Sequence, residues 1–395
     1  MKKSWAILLS TLLTISLGVG CSNTQTTQQT ETNQKLEQAE VSEASETAPA
    51  EEKEKEANEM EDVSAHTEAK TIVFTDSCGR EVEIPAHIQK VAPSGSVAQM
   101  ILYAVAPEKL ACWAGKLGDE QKYYIEDDCE ALPVTGQFYG KGDLNMEALI
   151  EAAPDVIIDL GDKKKSAKED LDNIQEQTGI PTIFIEATVD SYAEMFRTLG
   201  KLLENEEQGE KLAAYTENVY QDGEKARAQI GEEDKLRVMF GTGETGLDCN
   251  AKGSIHCGVL EAVGVENAIE VAELSNKGGG NTVTMEEVIA ADPDVILFEA
   301  GGPYEKVKDD AYWSGLNAIA KDQFYEIPYG PYHFLASPPS INQIIGIKWL
   351  GNLLYPELYP YDMVKELQEF YKLFWHYDLS EDEAKALLAH STYKE

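Results

Sequence analysis

The side chains able to do chemistry sit in short loops rather than in any catalytic signature. Two loops combine histidine with hydroxyl or aromatic neighbours: Gly253-Ser254-Ile255-His256, and Tyr329 through Tyr332 and His333 beside Pro331. Imidazole and phenol groups there could ligate a metal or lie against a conjugated macrocycle. Ser94-Gly95-Ser96, Trp113, Gln137-Phe138-Tyr139 and Gly243 to Gly246, with Thr245, add hydroxyls, backbone N–H groups and ring faces. His87, His376 and His390 stand in no such context and read as surface or packing residues. No nucleophile elbow, His-Glu-x-x-His pair, phosphate loop or dinucleotide fingerprint occurs. The run Gly241 to Gly246 is glycine-rich but lacks the lysine of a phosphate loop. The pattern is that of a binder without resident cofactor or metal, not of an enzyme.

Cys78, Cys112, Cys129, Cys249 and Cys257 show no C-x-x-C spacing of a zinc or redox site. Cys112 with Cys129, and Cys249 with Cys257, are the sequence-local disulfide choices in an exported chain, which would leave Cys78 over. The other reading makes all five small buried hydrophobes.

Those loops need a scaffold, and an internal repeat supplies it. Asn145 to Ile158 and Thr284 to Leu297 lie 139 positions apart and share Met, Glu, Ile, Ala, Pro, Asp, Val and Ile at equivalent places. Each copy reads as a short helix, a Pro-Asp turn and an unbroken apolar strand. A strand without polar alternation is buried on both faces, as in a parallel sheet covered by helices. Lys90–Ala92, Leu110–Ala114 and Thr182–Ile185 are further strand candidates in the first unit, and Arg237–Phe240 and Phe324–Ile327 in the second. Thr71–Thr75 and Glu81–Ile84 read as an entry hairpin. Between the units, Glu206 to Ile230 is proline-free with helical apolar spacing, and its only internal glycines are Gly209 and Gly223. The expected architecture is α/β: two parallel-sheet lobes (71–203 and 236–395, the second with closing helices), joined by one long rigid helix within 204–235, with a ligand cleft between them.

The chain has 395 residues and a formal net charge of -38. Such acidity excludes a phosphate-backbone binder of nucleic acid and a protein held by anionic lipid alone. Lys2 and Lys3 precede a mostly apolar stretch, Ala6 to Val19, which ends in small residues and Cys21. This resembles a bacterial lipoprotein signal (1–20), although Gly18 stands where leucine is usual. It implies export, acylation of Cys21 and a lipid-bilayer anchor facing the extracytoplasmic side. Residues 21–70 hold no Trp, Tyr or Phe and read as a disordered acidic tether.

The entry motif Thr75-Asp76-Ser77-Cys78-Gly79-Arg80, the paired Met-Glu…Pro-Asp-Val-Ile segments and the mid-chain helix together resemble the substrate-binding lipoproteins of ABC importers for iron complexes, haem and cobalamin. The resemblance covers about residues 71–378. It implies a monomeric extracytoplasmic receptor that hands a small-molecule metal complex to an ABC permease, with Glu147 and Glu286 docking on that permease. By strand-end position the ligand would meet Ser94, Ser96, Trp113, Phe138, Tyr139, Thr245, His256, Tyr332 and His333. The run from Pro331 to Leu350 resembles a molybdate- and tungstate-type subgroup, in which the place of Gln343 is often arginine. An oxyanion binder is therefore the alternative, as is a surface metal-chelatase-like enzyme using His256 with Glu244. Only Arg80, Arg197, Arg227 and Arg237 are arginines, and none falls in a cleft loop, which favours a neutral or weakly charged metal chelate.

Overall fold

The computed structural model describes residues 70–139, 144–275 and 280–392. The expected leader, Cys21 and nearly all of the tether lie outside them. An antiparallel hairpin, β1 (Thr71–Thr75) and β2 (Glu81–Pro85), opens the described chain. In the first lobe β3 (Val91–Pro93), β4 (Val156–Gly161) and β5 (Thr182–Glu186) form a parallel sheet in that order. The apolar run of β4 is buried along its length, as an unalternating strand requires. Leu110–Ala114, expected as a strand, makes only isolated bridges, Leu110 to Val91 and Trp113 to Val134. Its ladder is broken where Trp113 turns into the core and donates Nε1–H to the Cys129 carbonyl at 2.7 Å.

The second lobe contains β6 (Arg237–Thr242), β7 (Asp248–Cys249), β8 (Glu266–Asn267), β9 (Asn281–Thr282), β10 (Val295–Phe298) and β11 (Phe324–Glu326). The sheet order is β11-β10-β6-β7-β9, with β8 also beside β6. Strands β6, β8, β10 and β11 pair in parallel, while β7 runs antiparallel to β6 and β9.

The repeat is reproduced down to its backbone. Helices Met146–Ala152 and Met285–Ala291 are N-capped by Asn145 and Thr284, whose side chains accept from the amides of Ala148 and Glu287. Both end in a left-handed residue, Ala153 at φ 49° and Asp292 at φ 41°. The aspartate of each Pro-Asp turn then pins the start of the neighbouring strand. Asp155 Oδ2 accepts from the Lys90 amide at 2.9 Å, and Asp294 Oδ2 from the Arg237 amide at 2.8 Å. That bond gives the recurrent aspartate a structural job in both lobes.

One helix, Glu206–Arg227, runs from lobe to lobe; its 22 residues span about 33 Å at 1.5 Å each. Its glycines are the points of closest approach. A Cβ on Gly209 would lie 2.6 Å from the Phe196 carbonyl and 2.9 Å from the Cα of Gly200 in the first lobe. Gly223 faces the Ala262 carbonyl and Ile347 in the second lobe, with 3.6 Å to each from a built Cβ. Arg197 clamps the helix electrostatically, bonding Glu210 at 2.8 Å and Glu217 at 2.7 Å.

The C-terminal segment crosses back to the first lobe. Helix Met363–Phe374 lies beside the linking helix, with Tyr215 and Phe374 rings 5.5 Å apart. Trp375 then packs on Tyr103 at 6.0 Å, and His376 Nε2 lies 3.2 Å from the Tyr103 carbonyl oxygen. The main core is accordingly continuous between lobes. All five described cysteines are free thiols, four of them buried. Neither local disulfide pair is present, and burial instead pushes the thiol of Cys129 up to about 11 and those of Cys249 and Cys257 to about 12.

Candidate functional site

A cleft of 680 Å³ opens between the lobes. The first lobe supplies the ends of β4 and β5, namely Gly161, Asp162, Lys164, Thr188 and Val189, together with Ser96, Gln137 and Tyr139. The second lobe supplies Gly253 to His256, Ala336 to Pro339, and Gln343. The strand-end rule for open α/β sheets accounts for the first-lobe half. It would also have located Asp162, Lys164, Thr188 and Val189, which follow β4 and β5 directly and which the sequence reading passed over.

His256 is held by its own scaffold. It follows Ser254, which N-caps a single 3₁₀ turn by accepting from the His256 amide. Its ring nitrogen Nδ1 lies 2.9 Å from the Ala336 carbonyl oxygen, so Nδ1 carries the proton and Nε2 keeps a lone pair. The amide of the same Ala336 donates to Nδ1 of His333 at 3.1 Å, and the Leu335 amide does so at 3.0 Å. His333 is thus the opposite tautomer, Nε2–H, and is wholly buried on Phe240, with ring centroids 5.3 Å apart. Burial, reinforced by His256, pushes His333 down to about 3, so it is neutral at every physiological pH. One residue, Ala336, therefore joins two imidazoles through its N–H and its C=O, one ring sealed in the core and one with a free lone pair on the cleft wall.

The remaining predicted site residues divide sharply. Ser96 and Tyr139 line the cleft with His256. Lys164 Nζ sits 3.6 Å over the Tyr139 ring, whose hydroxyl donates to Asp170 at 3.3 Å; burial and the charges of Asp159 and Asp170 push this phenol up. Tyr332 lines an adjoining cavity of 450 Å³ that shares Ser96 and Gln137 with the cleft. Its oxygen accepts from Gln99 at 3.1 Å, and burial pushes it up to about 12, which disfavours a phenolate ligand. Ser94 is buried and donates to the buried Asp159, whose carboxyl is pushed up by burial. Trp113 belongs to the core, and Phe138 packs against the small cluster of Ala92, Cys112, Leu149 and Ile157. Thr245 is exposed on the β6–β7 hairpin turn and is not among the cleft-lining residues. In that turn Gly246 has φ 69°, and a Cβ on Gly241 would meet the Gly246 carbonyl at 2.3 Å, so the glycines serve a tight backbone crossing.

A short first-lobe helix, Asp119–Tyr124, already holds one end of the second lobe. Gln121 Nε2 donates to the Tyr329 hydroxyl at 2.7 Å and to the Pro331 carbonyl at 2.8 Å. The cleft charges are few: Asp162, Asp190 and Glu261 against Lys164. Two helices bring N-termini to the wall, Ser96–Val105 and Asn342–Leu354, and neither has a side-chain cap or an acid in its first turn. A separate cavity of 700 Å³ under the C-terminal residues, lined by Glu120, Tyr124, Glu326, Tyr329 and His390, includes no residue of the repeat.

Glu147 and Glu286 occupy equivalent exposed positions in the two repeat helices. Neither has an ion-pair or hydrogen-bond partner among the described residues. Among the described residues no helix is long and apolar enough to cross a membrane.

The family model described as Periplasmic binding protein matches residues 101–329, more than half of the chain. The Fe(3+)-citrate-binding protein YfmC of Bacillus subtilis is 22% identical over 189 residues, covering 46% of this chain and 56% of that protein. The Vitamin B12-binding protein of Salmonella typhimurium is 26% identical over 212 residues, covering 53% of this chain and 73% of that protein. The match thus spans little more than half of the ferric-citrate relative's length. Among solved structures, an ABC transporter solute binding protein from Sulfurospirillum deleyianum shares 26% identity with a TM-score of 0.74, covering 81% of this chain and 99% of that one. The molybdate periplasmic binding protein MolA of Haemophilus influenzae, at 18% identity and a TM-score of 0.61 over 78% of this chain and 99% of that one, shares the fold.

Proposed function

Because the chain belongs to the periplasmic binding protein family, we propose that it captures a weakly charged metal chelate in the interlobe cleft and delivers it to the permease of an ABC importer. The cargo class is ferric siderophore, haem or cobalamin. The observation that carries this reading is the composition of the cleft: a tautomer-locked imidazole with a free lone pair, set in a wall of amides, hydroxyls and apolar groups with Lys164 as the one basic side chain among the described lining residues. Such a wall suits a complex whose charge is already balanced and whose metal accepts one more donor. The ferric-citrate and B12 relatives bind metal complexes by name. Size points the same way. A tetraoxo anion displaces roughly three waters, or ~90 Å³, and would leave most of the 680 Å³ unfilled. The two uncapped helix N-termini favour an oxyanion as the second reading.

Calorimetric titration against ferric citrate, a ferric hydroxamate, haem, cobalamin and molybdate separates the two. Calorimetry is preferable to intrinsic fluorescence, since no tryptophan lines the cleft. Binding of at least one chelate, weakened about tenfold by His256→Ala, supports the reading. Tight molybdate binding with no chelate bound would replace it. Metal insertion into a porphyrin would instead favour the chelatase class.

Export and anchoring complete the proposal. Acylated Cys21 would hold the chain at the membrane's outer side on its acidic tether, and Glu147 and Glu286 would engage basic groups on the two halves of the permease. Cys21→Ser should abolish incorporation of labelled fatty acid. The double variant Glu147→Ala/Glu286→Ala should bind cargo normally and support less uptake.

A further inference from the structure

Six of the eight residues shared by the two repeat copies have work inside the fold. Pro, Asp, Val and Ile make the turn, the strand pin and the buried start of β4 and β10, while Met and Ala are partly buried on the helices. The other two are Glu147/Glu286 and Ile150/Ile289, and both pairs are exposed. Ile150 is 49% exposed and Ile289 is 55% exposed, although Leu149 and Val288 beside them are fully buried. A helix covered on one face only needs no isoleucine on its wet side, and this one is wet twice, at equivalent positions. Glu and Ile are three residues apart, hence neighbours on one helix surface. Each lobe therefore presents the same small patch: an unpaired carboxylate next to a bare branched aliphatic side chain.

We propose that Ile150 and Ile289 are twin apolar anchors for the permease, each entering an aliphatic socket beside the basic group that receives its neighbouring glutamate. This inference rests on the importer reading and adds its recognition chemistry. The occupant is a membrane protein with two related copies of one socket, because the patch itself is duplicated, with the same Glu and Ile at equivalent positions of two side-chain-capped helices. In such a patch the carboxylate sets orientation and encounter rate, while the buried aliphatic group slows release. The exposed acidic face of the chain makes a purely electrostatic contact sensitive to salt, whereas the isoleucine contribution persists in salt.

The test measures association of the cargo-loaded chain with the importer's permease–ATPase complex in nanodiscs, at low and high salt. Four proteins are compared: wild type, Ile150→Ala/Ile289→Ala, Glu147→Gln/Glu286→Gln, and the exposed control Tyr312→Ala. The double isoleucine variant should raise Kd about tenfold, equivalent to about 1.4 kcal/mol, and the deficit should remain at high salt. Thermal stability and cargo affinity should match wild type. The glutamate variant should lose affinity mainly at low salt. If the isoleucine variant associates like wild type while the glutamate variant is weakened, the apolar anchors are refuted and the docking reading stands. If both associate like wild type, or wild type does not associate, the docking reading itself falls, and the anchors with it.

Discussion

Replacing Arg80 by leucine should destabilise the protein by about 4 kcal/mol. The guanidinium is nearly fully buried and serves four acceptors: Asp172 at 2.8 Å, Asp76 at 3.1 Å, the Thr182 carbonyl at 2.8 Å and Gln175 at 3.4 Å. The Asp76 side chain has 0% exposure and no other cation among the described residues. Removing one partner of a buried pair typically costs 3–5 kcal/mol, because the remaining charge stays desolvated. Here the backbone amides of Cys78 and Arg80, each at 2.9 Å, still serve Asp76, which places the loss near ~3 kcal/mol. The orphaned Thr182 carbonyl adds roughly 1 kcal/mol. Against a total stability of about 5–15 kcal/mol this is a large fraction. Urea denaturation followed by near-UV circular dichroism measures it. The double variant Arg80→Leu/Asp76→Asn should recover part of the loss, since it no longer buries an uncompensated charge. A loss below about 1 kcal/mol for Arg80→Leu, or a double variant less stable than the single one, would refute the buried-pair reasoning. The consequence reaches the cleft, because Thr182 begins β5, whose end leads into Thr188 and Val189.

Gly209→Ala should destabilise by about 1–3 kcal/mol despite its better helix propensity, because backbone stands within 3 Å of the new methyl, whereas Gly223→Ala, with ordinary contacts, should be neutral or stabilise by up to ~1 kcal/mol; paired thermal melts decide. Between pH 3 and the ordinary value of 6.5, the unfolded chain binds a proton at His333 that the folded chain does not. Stability should therefore fall by about 2 kcal/mol from pH 7 to 5 through this residue and be fully regained above 6.5, and His333→Gln should flatten the slope in urea titrations. Treatment with a reductant should leave the melting temperature unchanged, and a thiol reagent should reach the four buried cysteines only after denaturation, the outcome expected of protonated core thiols.

Much of the scaffold was readable because its signals are local. The Pro-Asp turns announce themselves in sequence, and the structure explains them through the bonds of Asp155 and Asp294 to adjacent strand starts. Two parallel-sheet lobes and the linking helix follow from apolar runs and from 3.6-residue spacing. The helix ends at Arg227 rather than Ile230, where Gly231 and a 3₁₀ turn intervene. The cleft was readable only as a set of loops. Strand-end position correctly singles out loops, but it cannot say whether a ring turns toward solvent or inward. Trp113 and His333 turn inward because backbone partners await them there, the Cys129 carbonyl and the Leu335 and Ala336 amides. Those partners are fixed by tertiary placement, not by neighbouring residues. The glycines of the linking helix look like weak points in sequence, yet Gly209 marks a contact that any side chain would block. The return of the C-terminal segment onto Tyr103 joins residues more than 270 positions apart, a pairing no periodicity encodes.

That returning segment gives the two lobes a second strut alongside the first. The two braces lie side by side, Tyr215 of one against Phe374 of the other, so the lobes are joined along one doubled spine.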